Sequence, residues 1–149
     1  RRRRGLAGAG ASVRHPAVQL LRAVRVRAAA VGHRAAGAAL ATLSIYEHEQ
    51  LFERSFELER YFEDAVHSLK GLPNVIDIRN TGLVAGIQFS PNAQGAGKRG
   101  YGVFEHCFRH GTLVRATGDI IAMSPPLIVD KREIDQMVNS LSDAINAVG

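Results

Sequence analysis

The chain has 149 residues and one cysteine, Cys107, a size that suits one domain with a real core and a cysteine count that excludes an intrachain disulfide. Its net charge of +5 is unevenly placed: residues 1–40 hold nine arginines and no acid, while residues 41–149 hold ten Lys and Arg against fourteen Asp and Glu. The body is therefore mildly acidic and offers no basic surface for nucleic acid; with a lone thiol and no apolar run near the roughly 18 residues that span a bilayer, it is expected to be soluble and cytoplasmic.

Residues 1–40 contain twelve alanines and five glycines but no Phe, Tyr, Ile, Asn, Met, Lys, Asp or Glu. With little to bury and much like charge, this leader is expected to be disordered or at most weakly helical. Three readings of it compete. It has the Arg-rich, acid-free character of an organelle transit peptide, and it could be an arm that holds an anionic partner such as nucleic acid. It also reads as a G/C-rich gene translated out of frame, since Arg, Ala and Gly have G/C-rich codons and the absent Lys, Asn, Ile, Phe, Tyr and Met A/T-rich ones. "GAGASV" at Gly8 is no dinucleotide loop, because Val13 stands where the third glycine belongs.

In the body, residues 41–149, positions Leu43, Tyr46, Leu51, Ser55, Leu58, Phe62, Val66 and Leu69 recur near 3.6 and predict one long amphipathic helix, ended by Gly71 and Pro73. The acids on its other face, Glu47 to Glu63 with Arg54 and Arg60, read as a solvated surface. The period then changes to two in "NVIDIRN" and "GLVAGIQF", with Asn80-Thr81-Gly82 as a three-residue hairpin connection. "NAQGAGKRG" is a loop, since Asn92 and Arg99 replace the Gly and the Ser or Thr of a phosphate loop. "KRGYGVFEHCFRHG" returns to helical spacing with Gly111 as its cap. "LVRATGDIIAM" predicts two strands folded around Gly118-Asp119, and "DKREIDQMVNSLSDAINAVG" a helix opened by a capping box of Asp130 and Glu133. The order helix, two strands, helix, two strands, helix predicts an α+β fold: a small antiparallel sheet with helices on one face.

Few side chains point to chemistry. His106 and His110 are four apart on a helix, with Cys107 between them, but the Glu of the HExxH pattern and a third ligand are both missing. No metal is assigned, and Cys107 reads as a small buried hydrophobe. Ser124, before Pro125-Pro126, is a turn residue. Arg115 differs, because it puts a permanent charge into an apolar strand context. Two readings stay open: an ion pair with a body carboxylate such as Asp119, or a fork that receives a ligand carboxylate through two parallel hydrogen bonds.

"ATLSIYEHEQLFERSFELERYF", "LPNVIDIRNTGLVAGIQF" and "GTLVRATGDIIAMSPPLIVDKREID" together resemble the C-terminal small domain of class III, fold-type I, pyridoxal-phosphate-dependent aminotransferases, most closely the ω-amino acid (β-alanine):pyruvate group. The likeness runs from about Leu40 to Gly149 and includes Arg79, Gly82 and Leu83, the R-A-T-G-D turn and the S-P-P-L run. It implies an enzyme that moves an amino group from an ω-amino acid or amine to pyruvate, in a homo-oligomer that acts on small amino and keto acids. It also implies that Arg115 binds the substrate carboxylate.

The departures carry equal weight. The family's cofactor lysine, pyridinium-pairing aspartate and phosphate turn belong to a preceding large domain. Lys70, Lys98 and Lys131 match none of them, so no cofactor-binding or catalytic residue is assigned and the chain alone is expected to be inactive. The family's T-Y-S-G-H-P-like stretch is replaced by "GHRAAGAALATL", with Arg34 in place of Pro; a frame change just before Leu40 accounts for that loss. The reading from another class is a non-enzymatic α+β module whose basic arm holds an anionic partner.

Overall fold

A computed structural model describes residues 34–149. Its elements are helix α1 (Arg34–His48), helix α2 (Leu51–His67), strands β1 (Val75–Thr81) and β2 (Val84–Phe89), helix α3 (Lys98–Arg109), strands β3 (Arg115–Thr117) and β4 (Ile120–Met123), and helix α4 (Lys131–Val148). Contacts divide the chain after Phe52 into two compact units. The second contains the sheet. Residues 34–40, the end of the segment assigned to the leader, are helical; the "GAGASV" loop and the readings of the remaining leader lie outside the described residues.

The single long helix expected from Leu43 onward is two helices. Its apolar positions step by three or four residues everywhere except from Tyr46 to Leu51, where a step of five carries the face out of phase. The chain resets there: Gln50 takes a left-handed φ of 50° and α2 starts afresh. Leu58, Phe62, Val66 and Leu69 then face the core. The acidic face of α2 is not only solvated. Glu59 Oε1 accepts the Gly82 N–H at 3.2 Å, and Arg54 Nη2 donates to the carbonyls of Ile128 and Val129, both at 3.0 Å.

All strand pairs are antiparallel, in the order β1-β2-β4-β3. Ala85, Ile87 and Phe89 alternate with more exposed residues on β2, as Ile121 and Met123 do on β4, and their register places all five on one buried face. That face meets Phe62, Val66, Val103, Cys107, Ile134, Leu141 and Ile145 from the helices in one core. The β1–β2 connection is Gly82-Leu83, two residues and not the expected three, because Thr81 pairs with Val84. Gly82, at φ 53°, takes the first central position, where a tight hairpin requires positive φ. The expected capping box on α4 is present, with the Glu133 N–H donating to Asp130 Oδ1 at 2.8 Å and the Asp130 N–H to Glu133 Oε2 at 2.9 Å.

Candidate functional site

The site is built on the β3–β4 hairpin. Three ladder pairs, Arg115 with Ala122, Ala116 with Ile121 and Thr117 with Ile120, close a two-residue turn of Gly118 and Asp119. Ala116 joins Ile121 against the core, so Arg115 projects from the opposite face of the sheet's edge strand. The registers align Arg79, Gly86, Ala122 and Arg115 in one row across the four strands. Arg79 is neutralised within that row's neighbourhood by Asp77 at 3.1 Å and donates to Gln88 Oε1 at 3.1 Å. Between the two arginines stand only Gly86 and Ala122.

Arg115 is exposed and, among the described residues, forms no ion pair. The pairing with Asp119, one of the two readings open to the sequence, is not formed, because that carboxylate is engaged elsewhere. Its Oδ2 accepts the Gly97 N–H at 2.8 Å and its Oδ1 the Gly100 N–H at 3.2 Å. These are the N-cap and third residues of α3, a helix whose own cap, Gly97 at φ 80°, offers no side chain. A helix start leaves such amides without partners, and the hairpin turn supplies the missing acceptor from a distance.

The same turn makes a second contact with α3. A Cβ added at Gly100 would lie 2.1 Å from the Gly118 carbonyl oxygen and 3.1 Å from Asp119 Cα. Only glycine permits the helix backbone to come this close to the turn. Asp119 is also tied to β2, its carbonyl accepting the Phe89 N–H at 2.8 Å. The hairpin that carries Arg115 is thus fixed at its turn by two elements.

Arg115 borders a hollow of about 600 Å³ lined by Tyr101 and Phe104 of α3, by Leu113, Val114 and Ala116, and by Ala122 and Ser124. Its walls are mostly apolar, with one cation at the rim and no acid, an arrangement suited to a small molecule with a carboxylate and a short carbon chain. Ser124, read from sequence as a turn residue, is exposed where β4 gives way to Pro125 and Pro126.

The remaining singled-out residues lie elsewhere. The His106 and His110 rings stack with centroids 4.2 Å apart, and His110 Nδ1 lies 2.8 Å from the His106 carbonyl oxygen. Cys107 is fully buried against the core, and burial pushes its thiol pKa up, which disfavours the nucleophilic thiolate. Among the described residues no cluster of three His, Cys, Asp or Glu is placed to hold a metal. Lys70 follows α2 in an exposed turn, Lys98 begins α3, and Lys131 begins α4 with Nζ 4.9 Å from the Tyr61 ring; none of the three borders the hollow.

The hydrogen bond from Gly97 holds the Asp119 carboxyl below the usual carboxylate range, aided by Gly100 and Arg99 and opposed by partial burial. A carboxyl depressed by folding contributes stability above its unfolded pKa, and that contribution is lost as pH falls through the folded value. The acid limb of stability, below about pH 4, should therefore flatten in Asp119→Asn. Urea unfolding of both proteins between neutral pH and that limb checks this, and parallel curves would show that the carboxylate contributes nothing.

The family model for class III aminotransferases matches residues 32–145. The omega-aminotransferase of Caulobacter vibrioides is 48% identical over 114 residues, which make up 76% of this chain and 26% of that protein. The beta-alanine–pyruvate aminotransferase of Pseudomonas aeruginosa is 33% identical over 114 residues, 76% of this chain and 25% of its own length. The crystal structure of the omega transaminase from Pseudomonas jessenii in complex with PMP shares the fold with a TM-score of 0.72 and 28% identity, over 76% of this chain and 26% of that one. This chain spans about a quarter of the length of these curated relatives. With the hairpin, the α3 contact and the sheet order all falling inside the matched residues, the chain belongs to the class III aminotransferase family.

Proposed function

We propose that this chain is the substrate-carboxylate-binding part of an ω-amino acid:pyruvate aminotransferase, with Arg115 as the group that receives the carboxylate. The observation that carries this reading is an exposed arginine on a fixed hairpin, without an acidic partner among the described residues, at the rim of an apolar hollow. Its guanidinium offers two parallel donors to a carboxylate, and the rigid strand beneath it limits the entropy lost on binding. The names of the relatives, an omega-aminotransferase and a beta-alanine–pyruvate aminotransferase, agree with an amino or keto acid as ligand.

The family implies pyridoxal phosphate, which supplies the amino-group chemistry when bound. No lysine here borders the hollow, and in this reading the lysine that holds the cofactor comes from the part of the enzyme outside this segment. The chain's own contribution is to bind and orient the substrate's carboxylate. The parent enzyme is taken to be a cytoplasmic homo-oligomer; no helix among the described residues is long and apolar enough to cross a membrane.

Two assays test the proposal together. The isolated 149 residues should show no measurable transamination between β-alanine and pyruvate. A full-length class III aminotransferase whose corresponding segment is replaced by residues 41–149 should fold, take up its cofactor and turn over both substrates. Turnover by the isolated chain, or a folded and cofactor-loaded chimera that is inactive, would sink the reading.

A further inference from the structure

We propose that Asp119 is a positioning residue for Arg115: by clasping the start of α3, it sets the distance from the guanidinium to the opposite wall of the hollow. The inference rests on the carboxylate-binding reading and names a residue that acts through Arg115 without touching the ligand. Its basis is that one helix does two jobs. Gly97 and Gly100 of α3 hold the turn, through bonds of 2.8 and 3.2 Å to the Asp119 carboxylate and through the close approach of Gly100 to Gly118. Tyr101 and Phe104 of the same helix, one and four residues beyond Gly100, form the wall that faces the hairpin.

The hairpin between them is short. Arg115 lies in the third ladder pair from the turn, so a tilt at Asp119 is carried to Arg115 with little room for the ribbon to bend. Arg115 is also on the edge strand, with β4 as its single neighbour in the sheet. Sheet hydrogen bonds thus hold one side of β3, and the clasp at its turn holds the approach to α3. Releasing the carboxylate would free the amides of Gly97 and Gly100 and let the turn move from the helix. Arg115 would keep its charge but present its two donors in a less defined direction.

The test uses the isotope-labelled 149-residue chain and pyruvate as probe, followed by nuclear magnetic resonance at the Arg115 Nε–Hε and at the amides of Gly97, Gly100 and β3. In Asp119→Asn the Gly97 and Gly100 amide protons should move upfield, the β3 amides should shift, and pyruvate should bind about tenfold more weakly, as expected when a two-bond charge-assisted contact loses one bond. Asp119→Glu, which keeps the charge, should recover part of that affinity; it also reads the effect if Asp119→Asn does not fold. Asp130→Ala, which removes the cap of α4 far along the chain, controls for general loss of stability and should leave pyruvate binding unchanged. Unchanged affinity in both Asp119 variants, with binding abolished in Arg115→Ala, overturns the positioning role and leaves the carboxylate reading intact. Unchanged binding in Arg115→Ala, or no binding by the parent chain, overturns the carboxylate reading itself and this inference with it.

Discussion

Gly100→Ala is expected to destabilise the second compact unit by on the order of 3 kcal/mol, despite placing a better helix former in a helix. A glycine inside a helix costs about 1 kcal/mol relative to alanine, so the substitution would stabilise an isolated α3. In the folded chain the new methyl would lie 2.1 Å from the Gly118 carbonyl oxygen. Backbone, unlike a side-chain tip, cannot swing away, so either the turn or the helix must move and both bonds to Asp119 are strained. Gly102→Ala is the control two residues along the same helix. Its methyl would meet only the Val148 side chain, at 3.1 Å, near the end of α4. That side chain can yield, so the gain in helix propensity should leave stability unchanged or slightly raised. Urea midpoints of the two variants decide the matter, and equal midpoints would show that the close approach at Gly100 has no energetic weight.

The second large effect concerns substrate choice. In the chimeric enzyme, Arg115→Ala should lower kcat/KM for β-alanine about 10- to 150-fold, the equivalent of roughly 1.5–3 kcal/mol for hydrogen bonds to a charged group. An amine donor without a carboxylate should change by no more than about threefold, because it never engages the fork. Measuring the donor half-reaction keeps the carboxylate of pyruvate out of the comparison. Arg115→Lys should recover part of the loss through its point charge but not the paired geometry. Equal losses for both donors would make Arg115 a structural residue.

Much of the fold was legible because its signals are local. The capping box at Asp130 and Glu133, the Gly118-Asp119 turn and the alternation in β2 each depend on residues a few positions apart. The break at Gln50 was also written locally, in the step of five from Tyr46 to Leu51, but a count of apolar positions conceals one slipped step. The hairpin length failed by one residue, because Thr81 can serve equally as strand end or turn and only its pairing with Val84 decides.

The site divided along the same line. Arg115 stood out as a charge among apolar neighbours, yet its lack of an ion pair among the described residues depends on what Asp119 does, and Asp119 binds residues 22 and 19 positions earlier in the chain. No short-range pattern reports that. One signal was available: Gly100 sits in the first turn of a helix, where glycine is a poor choice by propensity. Such a local cost suggests that another backbone must come close.

The most direct test of the central claim, that Arg115 is held open for a ligand carboxylate, compares pyruvate with methyl pyruvate, which lacks the carboxylate charge. Each is titrated into the isotope-labelled chain while the Arg115 Nε–Hε resonance is followed. The expected result is a saturating shift with pyruvate, at millimolar affinity because one charge-assisted fork contributes only a few kcal/mol, and no shift with the ester. Equal shifts with both compounds, or none with pyruvate, would contradict the claim.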